Sequence, residues 1–255
     1  MTEEVRRYEP TFADHFSAHA AEYAAFRPRY PAALFHWLAV VAPGTELAWD
    51  AGTGNGQVAH GLVTRFARVV ATDASAEQIA NAAPHPRISY AVSSYDSGIV
   101  SETAQLVTVG QALHWFDLEL FMAEVRRVLQ PDGLLAAFAY GHSRVSPEVD
   151  ALVRAHHDMT LGEYWPREHL LIHEGYRSLA LPLEGLVPPP LEMSEAWTVE
   201  QYIGFFRTWS ATQRFMRARG EEAIADFERA LRERWGGVAR RTVSWPLVIR
   251  AGTMR

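Results

Sequence analysis

Apolar and polar positions along the chain change rhythm several times. From Pro31 to Val41 the apolar residues recur at helical spacing, with Pro31 at a first-turn position. A short run, Leu47-Ala48-Trp49, reads as a strand and ends at Asp50 in a glycine-rich turn. Residues 57–66 then read as a helix. Val69-Val70-Ala71, inside Arg68 to Thr72, reads as a second buried strand, and residues 75–82 as a short helix capped by Ser75. Ile88 to Val92 alternates and is rich in β-formers, and Leu106 to Val109 is another apolar strand. Leu118, Phe121, Met122, Val125, Val128 and Leu129 return to a helical period. Pro131-Asp132-Gly133 marks a turn before Leu134 to Tyr140, a continuous buried strand.

Strands thus alternate with helices over residues 31–140, which predicts a parallel sheet covered by helices on both faces. Ligands of such sheets sit beyond the carboxyl ends of the strands, where the strand order reverses. After residue 141 the pattern shifts. Residues 147–175 read as helical and rich in His and aromatics, Pro188-Pro189-Pro190 breaks the chain, and residues 198–235 hold one or two helices. Thr242 to Ile249 closes the chain as a strand.

Composition narrows the class. The 255 residues suit one large α/β domain, or one such domain with a small lid, and 48% apolar residues supply a substantial core. No apolar run approaches the roughly 20 residues of a membrane span. The charged segment Met1 to Asp14 lacks a secretory pattern, so a cytoplasmic location is expected. The absence of cysteine excludes disulfides, thiolate metal sites and cysteine nucleophiles. A net charge of -6 without a Lys/Arg block argues against nucleic acid as a partner.

Asp50-Ala51-Gly52-Thr53-Gly54-Asn55-Gly56 carries the functional reading. Glycines at alternate positions let the main chain turn sharply and let a ligand lie against it. A dinucleotide site asks for Gly-x-Gly-x-x-Gly around a pyrophosphate, yet the third position is Gln57 here. The third glycine falls at Gly56 instead, which suits a ligand without a pyrophosphate. Asp73 ends the next strand, 19 residues after Gly54, where a carboxylate can accept hydrogen bonds from both ribose hydroxyls.

These residues resemble the first two motifs of class I S-adenosylmethionine (SAM)-dependent methyltransferases: Asp50 to Gly56, then Asp73-Ala74-Ser75. Gly110 to Asp117 and Tyr23 to Pro31 are similar to segments of a narrower branch, the small-molecule type 11 enzymes akin to trans-aconitate methyltransferase. The resemblance implies a doubly wound, Rossmann-like, seven-stranded sheet, mostly parallel with an antiparallel last strand, plus a helical cap. It divides a single domain into a lid (12–31), a SAM-binding core (32–140), a cap that completes the sheet (141–235) and a last strand (236–255). It implies that Asp50, Gly52, Thr53, Gly54 and Gly56 surround the methionine portion of SAM and that Asp73 holds the ribose. Ala74 and Gln78 match positions near the adenine, as do Ser94 and Tyr95, where the chain departs from the family's acidic stretch. Gln111 and Ala112 match backbone contacts, and Tyr23 and Arg27 belong to the same cofactor set.

Methyl transfer from a sulfonium needs alignment more than acid–base help, because the leaving group is neutral. A base is required only where the acceptor loses a proton during attack, as a hydroxyl does and a carboxylate does not. His114 is the candidate base or substrate ligand; the alternative is a loop histidine bonded to backbone. Trp115, Tyr30, Trp165 and Arg207 are candidate substrate contacts, suited to a planar or acidic small molecule. His156 and His157 are adjacent, so on a helix they point about 100° apart. With no Cys and no His-Glu-x-x-His run, no metal is expected. Phe16, Tyr23, Phe26 and Tyr30 offer apolar cover for a lid, with Arg27 and Arg29 as its cations. The competing readings are a nicotinamide-dependent oxidoreductase, a non-catalytic SAM-binding protein and a nucleic-acid or protein methyltransferase. Gln57 argues against the first, and Gln111-Ala112-Leu113-His114 after the fourth strand, with the acidic total charge, against the last.

Overall fold

Alternating side chains on central strands have to be covered on both faces, and this requirement organises the molecule. The computed structural model describes residues 26–254. Its strands are β1 (Leu47–Ala51), β2 (Arg68–Asp73), β3 (Ile88–Val92), β4 (Ala104–Gly110), β5 (Leu129–Tyr140), β6 (Leu183–Leu186), β7 (Glu192–Trp197) and β8 (Arg241–Met254). The sheet runs β3-β2-β1-β4-β5-β8-β6, with β7 also paired to β8. β1 to β5 are mutually parallel, and β8 is antiparallel to β5, from Leu134 opposite Thr253 to Tyr140 opposite Leu247.

On β5, Leu134, Ala136 and Phe138 face one core with Leu34, Leu38, Leu62 and Phe66. Leu135, Ala137 and Ala139 face the other, with Trp49, Phe121 and Val125. The helices that cover these faces in the first half are α1 (Ala32–Val41), α2 (Gln57–Leu62), α3 (Ala76–Ala80) and α4 (Leu118–Val128). Local sequence sets their ends. The Ser75 hydroxyl accepts from the Gln78 amide at 3.2 Å, and the Asp117 carboxylate accepts from the amides of Glu119 and Leu120.

The second half contributes α5 (Pro147–Ala155), a π-helical turn at His156–Thr160, α6 (Leu170–His173), α7 (Val199–Arg207), α8 (Ser210–Arg219) and α9 (Ala225–Trp235). A third core forms here, built on Trp197, Tyr202, Phe205, Trp235 and Trp245. The mostly parallel sheet with an antiparallel last strand matches expectation, and three details differ. The sheet has eight strands, because the 14-residue β8 is long enough to pair β6 along one half and β7 along the other. The stretch 147–175 is broken by the π-turn and by 3₁₀ turns rather than continuous, and the stretch 198–235 holds three helices. Among the described residues, no helix is long and apolar enough to cross a membrane.

Candidate functional site

The turn after β1 is held from behind. Asp50 is fully buried, and its carboxylate accepts from Thr53 Oγ1 at 2.5 Å and from Thr108 Oγ1 at 2.9 Å. Burial raises its pKa to about 7 against those hydrogen bonds. The expected direct place of Asp50 against a ligand is therefore revised: its oxygens face inward and fasten the turn. The Thr53 amide adds a bond to the Thr72 carbonyl at 2.9 Å, tying the turn to β2.

The three glycines have different reasons to be glycine. All lie at positive φ, at +66°, +57° and +89° for Gly52, Gly54 and Gly56. A Cβ on Gly52 would stand 2.7 Å from Ala112 Cβ, and one on Gly56 would strike the Tyr90 hydroxyl. A Cβ on Gly54 would meet only Gln78 Oε1, at 3.8 Å. Of the three glycines, Gly54 is thus the one whose front is open among the described residues.

Asp73 closes this opening from the end of β2. Its Oδ2 accepts from the Gly54 amide at 2.8 Å and its Oδ1 from the Ser75 amide at 2.9 Å, so the carboxylate is fixed across the turn with Ala74 beside it. Gln78 is buried, and among the described residues its Oε1 has no hydrogen-bond partner; the Tyr90 hydroxyl, also buried, has none among them either. A buried acceptor without a partner costs about 1–3 kcal/mol, which a ligand that donates to it recovers. Tyr90 was not read as a site residue, although its place on the same face of β3 as Ile88 could have indicated it.

The other expected cofactor residues are divided. Gln111 sits at φ +58° directly after β4, and its side-chain amide pairs with Tyr140: Nε2 donates to the carbonyl and Oε1 accepts from the amide, each at 3.0 Å. Gln111 therefore locks the ends of β4 and β5 together and presents main chain to the cleft, with Ala112 packed beneath Gly52. Ser94 is exposed. The Tyr95 hydroxyl is engaged, accepting from the Asp117 amide at 2.8 Å, and its ring packs on Phe116. Tyr23 and the lid positions 12–25, Phe16 among them, lie outside the described residues.

Beyond β4 and β5 lies a cavity of about 80 Å³ lined by Arg27, Gln111, His114, Trp115, Tyr140 and a group of histidines and aromatics. That is room for roughly six waters. Arg27 donates to the Tyr140 hydroxyl at 3.1 Å and the Thr208 carbonyl at 3.3 Å and lies over the Phe205 ring, so it borders this cavity. Phe26 packs on Gly204. Tyr30 instead packs edge-on against Phe138 and Tyr140. Arg207 does not reach the cavity: its guanidinium grips Glu228 at 2.6 Å, joining α7 to α9. These two substrate assignments are corrected accordingly, while Trp115 and Trp165 do line the cavity.

His114 is 7% exposed, with Nδ1 3.2 Å from the Tyr176 hydroxyl. Burial drives its pKa down to about 3. At neutral pH it is an uncharged hydrogen-bonding group, and so weak a base is poorly matched to proton removal.

The cavity also gathers histidines that are distant in sequence. The ligating nitrogens of His142, His157 and His173 lie within 4.8 Å of one another. His157 Nε2 is 3.2 Å from His173 Nε2 and 3.4 Å from His169 Nε2, and its Nδ1 is 2.7 Å from Asp158 Oδ1. Partial desolvation in the cavity wall lowers the pKa of all four; His142 falls to about 4 and His169 to about 2. Trp165 stacks on His169 at 3.8 Å and donates its Nε1 to the His157 carbonyl. The expectation of no metal rests on the divergence of the adjacent pair His156–His157 and on the absence of cysteine and of a His-Glu-x-x-His run. Those two do diverge, since His156 stacks on Phe227 at 3.8 Å, but the fold supplies His157 with other imidazole neighbours.

Comparison with known proteins adds a second line. A family profile described as "Methyltransferase domain" matches residues 49–137, which span β1 to β5. A solved structure from Anaeromyxobacter dehalogenans, titled a "Putative Type II Methyltransferase", is 44% identical with a TM-score of 0.84, covering 89% of this chain and 98% of that one. A "Putative methyltransferase" of Dictyostelium discoideum is 28% identical over 225 residues, 86% of each chain. An "Uncharacterized methyltransferase" of Mycobacterium tuberculosis is 32% identical over 122 residues, 47% of this chain and 49% of its own length.

Proposed function

The chain belongs to the class I SAM-dependent methyltransferases, and on that premise we propose that its acceptor is a small molecule methylated on a hydroxyl or carboxylate oxygen. The residues present fit the cofactor. The observation that carries the assignment of its place is the Asp73 carboxylate fixed on the Gly54 and Ser75 amides, beside open space at Gly54 and the unpartnered oxygen of Gln78. Asp73 would hold the ribose, Gly54 would lie under the methionine portion, and Gln78 would accept from the adenine side. Ser94 and Tyr95 contribute less to this reading, because one is exposed and the other is already bonded.

SAM when bound supplies a methyl group on a sulfonium, with a neutral thioether as leaving group. The protein's share is to orient the acceptor and keep water out, and positioning of this kind is worth about 7–11 kcal/mol in favourable cases. Gln111 fixes the wall between cofactor and acceptor spaces by clamping β4 to β5. Trp115 and Trp165 present aromatic surface to the acceptor. Arg27 brings a cation over the cavity, favouring an acceptor with an anionic oxygen. His114 serves as a neutral hydrogen-bond partner. The aromatic and cationic lining of the cavity suits a small planar or anionic acceptor.

The test is transfer of labelled methyl from SAM across a panel of small hydroxy and carboxylic acids, phenols and amines. Oxygen methylation of an acid or phenol supports the proposal. Transfer confined to amines, or to protein or nucleic acid, refutes it.

A further inference from the structure

We propose that His142, His157 and His173 form a binding site for a divalent transition-metal ion of the Zn²⁺ type in the wall of the acceptor cavity, with an open position for an acceptor oxygen. The acceptor half rests on the methyltransferase reading; the metal site does not.

The three residues come from separate elements. His142 follows β5, His157 sits in the π-helical turn and His173 ends α6. Metal-bound imidazole nitrogens lie about 2.0–2.1 Å from zinc, which places two of them roughly 3.3 Å apart in a tetrahedral site. The His157–His173 pair stands at 3.2 Å, and His142 is within 4.8 Å of both, close enough to swing onto a shared ion.

The chemistry of His157 argues further. Its Nδ1 donates to the Asp158 carboxylate at 2.7 Å, the outer-shell arrangement that orients a ligating histidine. That leaves Nε2 a single lone pair, yet the Nε2 atoms of both His173 and His169 approach it, at 3.2 and 3.4 Å. One N–H can satisfy that lone pair, and the second contact is then left without a shared proton. A cation held between His157 and His173, with His142 as the third ligand, takes their lone pairs together. The π-turn, a geometry that recurs at functional sites, sends His156 to Phe227 and leaves His157 facing the cavity.

An all-imidazole set selects zinc, copper, nickel or iron over magnesium and calcium, which favour oxygen donors. His173 is exposed, giving the ion a way in. Three protein ligands leave a coordination position, and the cavity that His142, His157 and His173 line also holds His114 and Trp115. A hydroxyl bound there loses its proton to water more readily. Its oxygen lone pair then forms the O–CH₃ bond while the S–CH₃ electron pair returns to sulfur. This would supply the acceptor activation that the buried, neutral His114 is ill suited to give.

The full chain, stripped with chelator and dialysed, is titrated with Zn²⁺ and separately with Co²⁺, with folding checked by circular dichroism. The proposal predicts one equivalent of Zn²⁺ and visible Co²⁺ ligand-field bands. His157→Ala and His173→Gln should each weaken Zn²⁺ binding at least 100-fold, Asp158→Asn about tenfold, and the exposed His36→Ala not at all. Salicylate, carrying both a carboxylate and a phenol, should shift the Co²⁺ bands. Absent Zn²⁺ binding in folded wild type, or binding unchanged in both histidine variants, overturns the metal site even if S-adenosylhomocysteine binds normally. Zn²⁺ binding that depends on His157 and His173 supports it even if S-adenosylhomocysteine fails to bind. Co²⁺ bands unmoved by salicylate overturn the acceptor half.

Discussion

Substituting Gly54 by alanine separates what the glycine turn does for the fold from what it does for the ligand. The residue sits at φ +57°, where an L side chain costs about 1–2 kcal/mol. For a chain of this size that corresponds to a fall in Tm of about 2–4 °C. Among the described residues the new methyl group meets no atom closer than Gln78 Oε1 at 3.8 Å, so the fold should accommodate it. It projects instead into the space assigned to the methionine portion of the cofactor. Overfilling of that kind costs about 1–3 kcal/mol, which is roughly 5- to 150-fold in affinity. Gly98→Ala is the matched control: φ is +66° and nothing lies within 4 Å of its Cβ. Calorimetric titration with S-adenosylhomocysteine and thermal unfolding should show similar losses of Tm in the two variants and a loss of affinity in Gly54→Ala alone. If Gly54→Ala binds S-adenosylhomocysteine as tightly as Gly98→Ala does, the ligand does not lie against this turn.

Three further substitutions follow from the site. Gln78→Leu removes a buried acceptor that lacks a partner, so the ligand-free protein should gain about 1 kcal/mol while S-adenosylhomocysteine binds about tenfold more weakly; denaturant unfolding and calorimetry check the two signs. Burial lowers the folded pKa of His114 to about 3, so as pH falls below 6.5 the unfolded chain takes up the proton first and stability falls. Wild type should therefore lose about 2 kcal/mol more than His114→Gln between pH 7 and pH 5, and equal losses in urea titrations would discredit the burial argument. Arg207→Ala cuts a partly exposed ion pair with Glu228, worth at most about 1 kcal/mol, and should leave acceptor KM unchanged; a raised KM would return Arg207 to the pocket.

What could be read from the sequence was what local chemistry decides. Leu47 to Gly56 announces strand, turn and helix within ten residues, Ser75 announces its own cap, and Asp73 falls one βαβ unit later, so the first half of the sheet and the turn were legible. β6 and β7 were not, since each is a short strand with exposed positions that pairs only with β8. The sequence marks β8 only over Thr242 to Ile249, because Arg250, Gly252 and Thr253 end the apolar run although the strand continues to Met254. Arg207 was assigned to the pocket because its partner, Glu228, lies two helices away. His142, His157 and His173 are 15 and 16 residues apart, a spacing that matches no local ligand motif. Only the folding of the segment after β5 back over the sheet brings them together, and the π-turn that aims His157 leaves no mark in the apolar period. Asp50 shows the converse: the motif was read correctly, but burial turned its carboxylate toward Thr53 and Thr108 rather than outward.

Asp73, fixed on the Gly54 and Ser75 amides, is the residue on which the proposed cofactor binding depends most directly. Equilibrium titration of S-adenosylhomocysteine into wild type and Asp73→Asn, with NADH as competitor, measures it in one experiment. Two hydrogen bonds from the ribose to a carboxylate, at about 1.5–3 kcal/mol each, should make the ligand bind at least 100-fold more weakly to the variant, and NADH should not displace it from wild type. Unchanged S-adenosylhomocysteine binding in folded Asp73→Asn, or displacement by NADH at comparable concentration, would contradict the account.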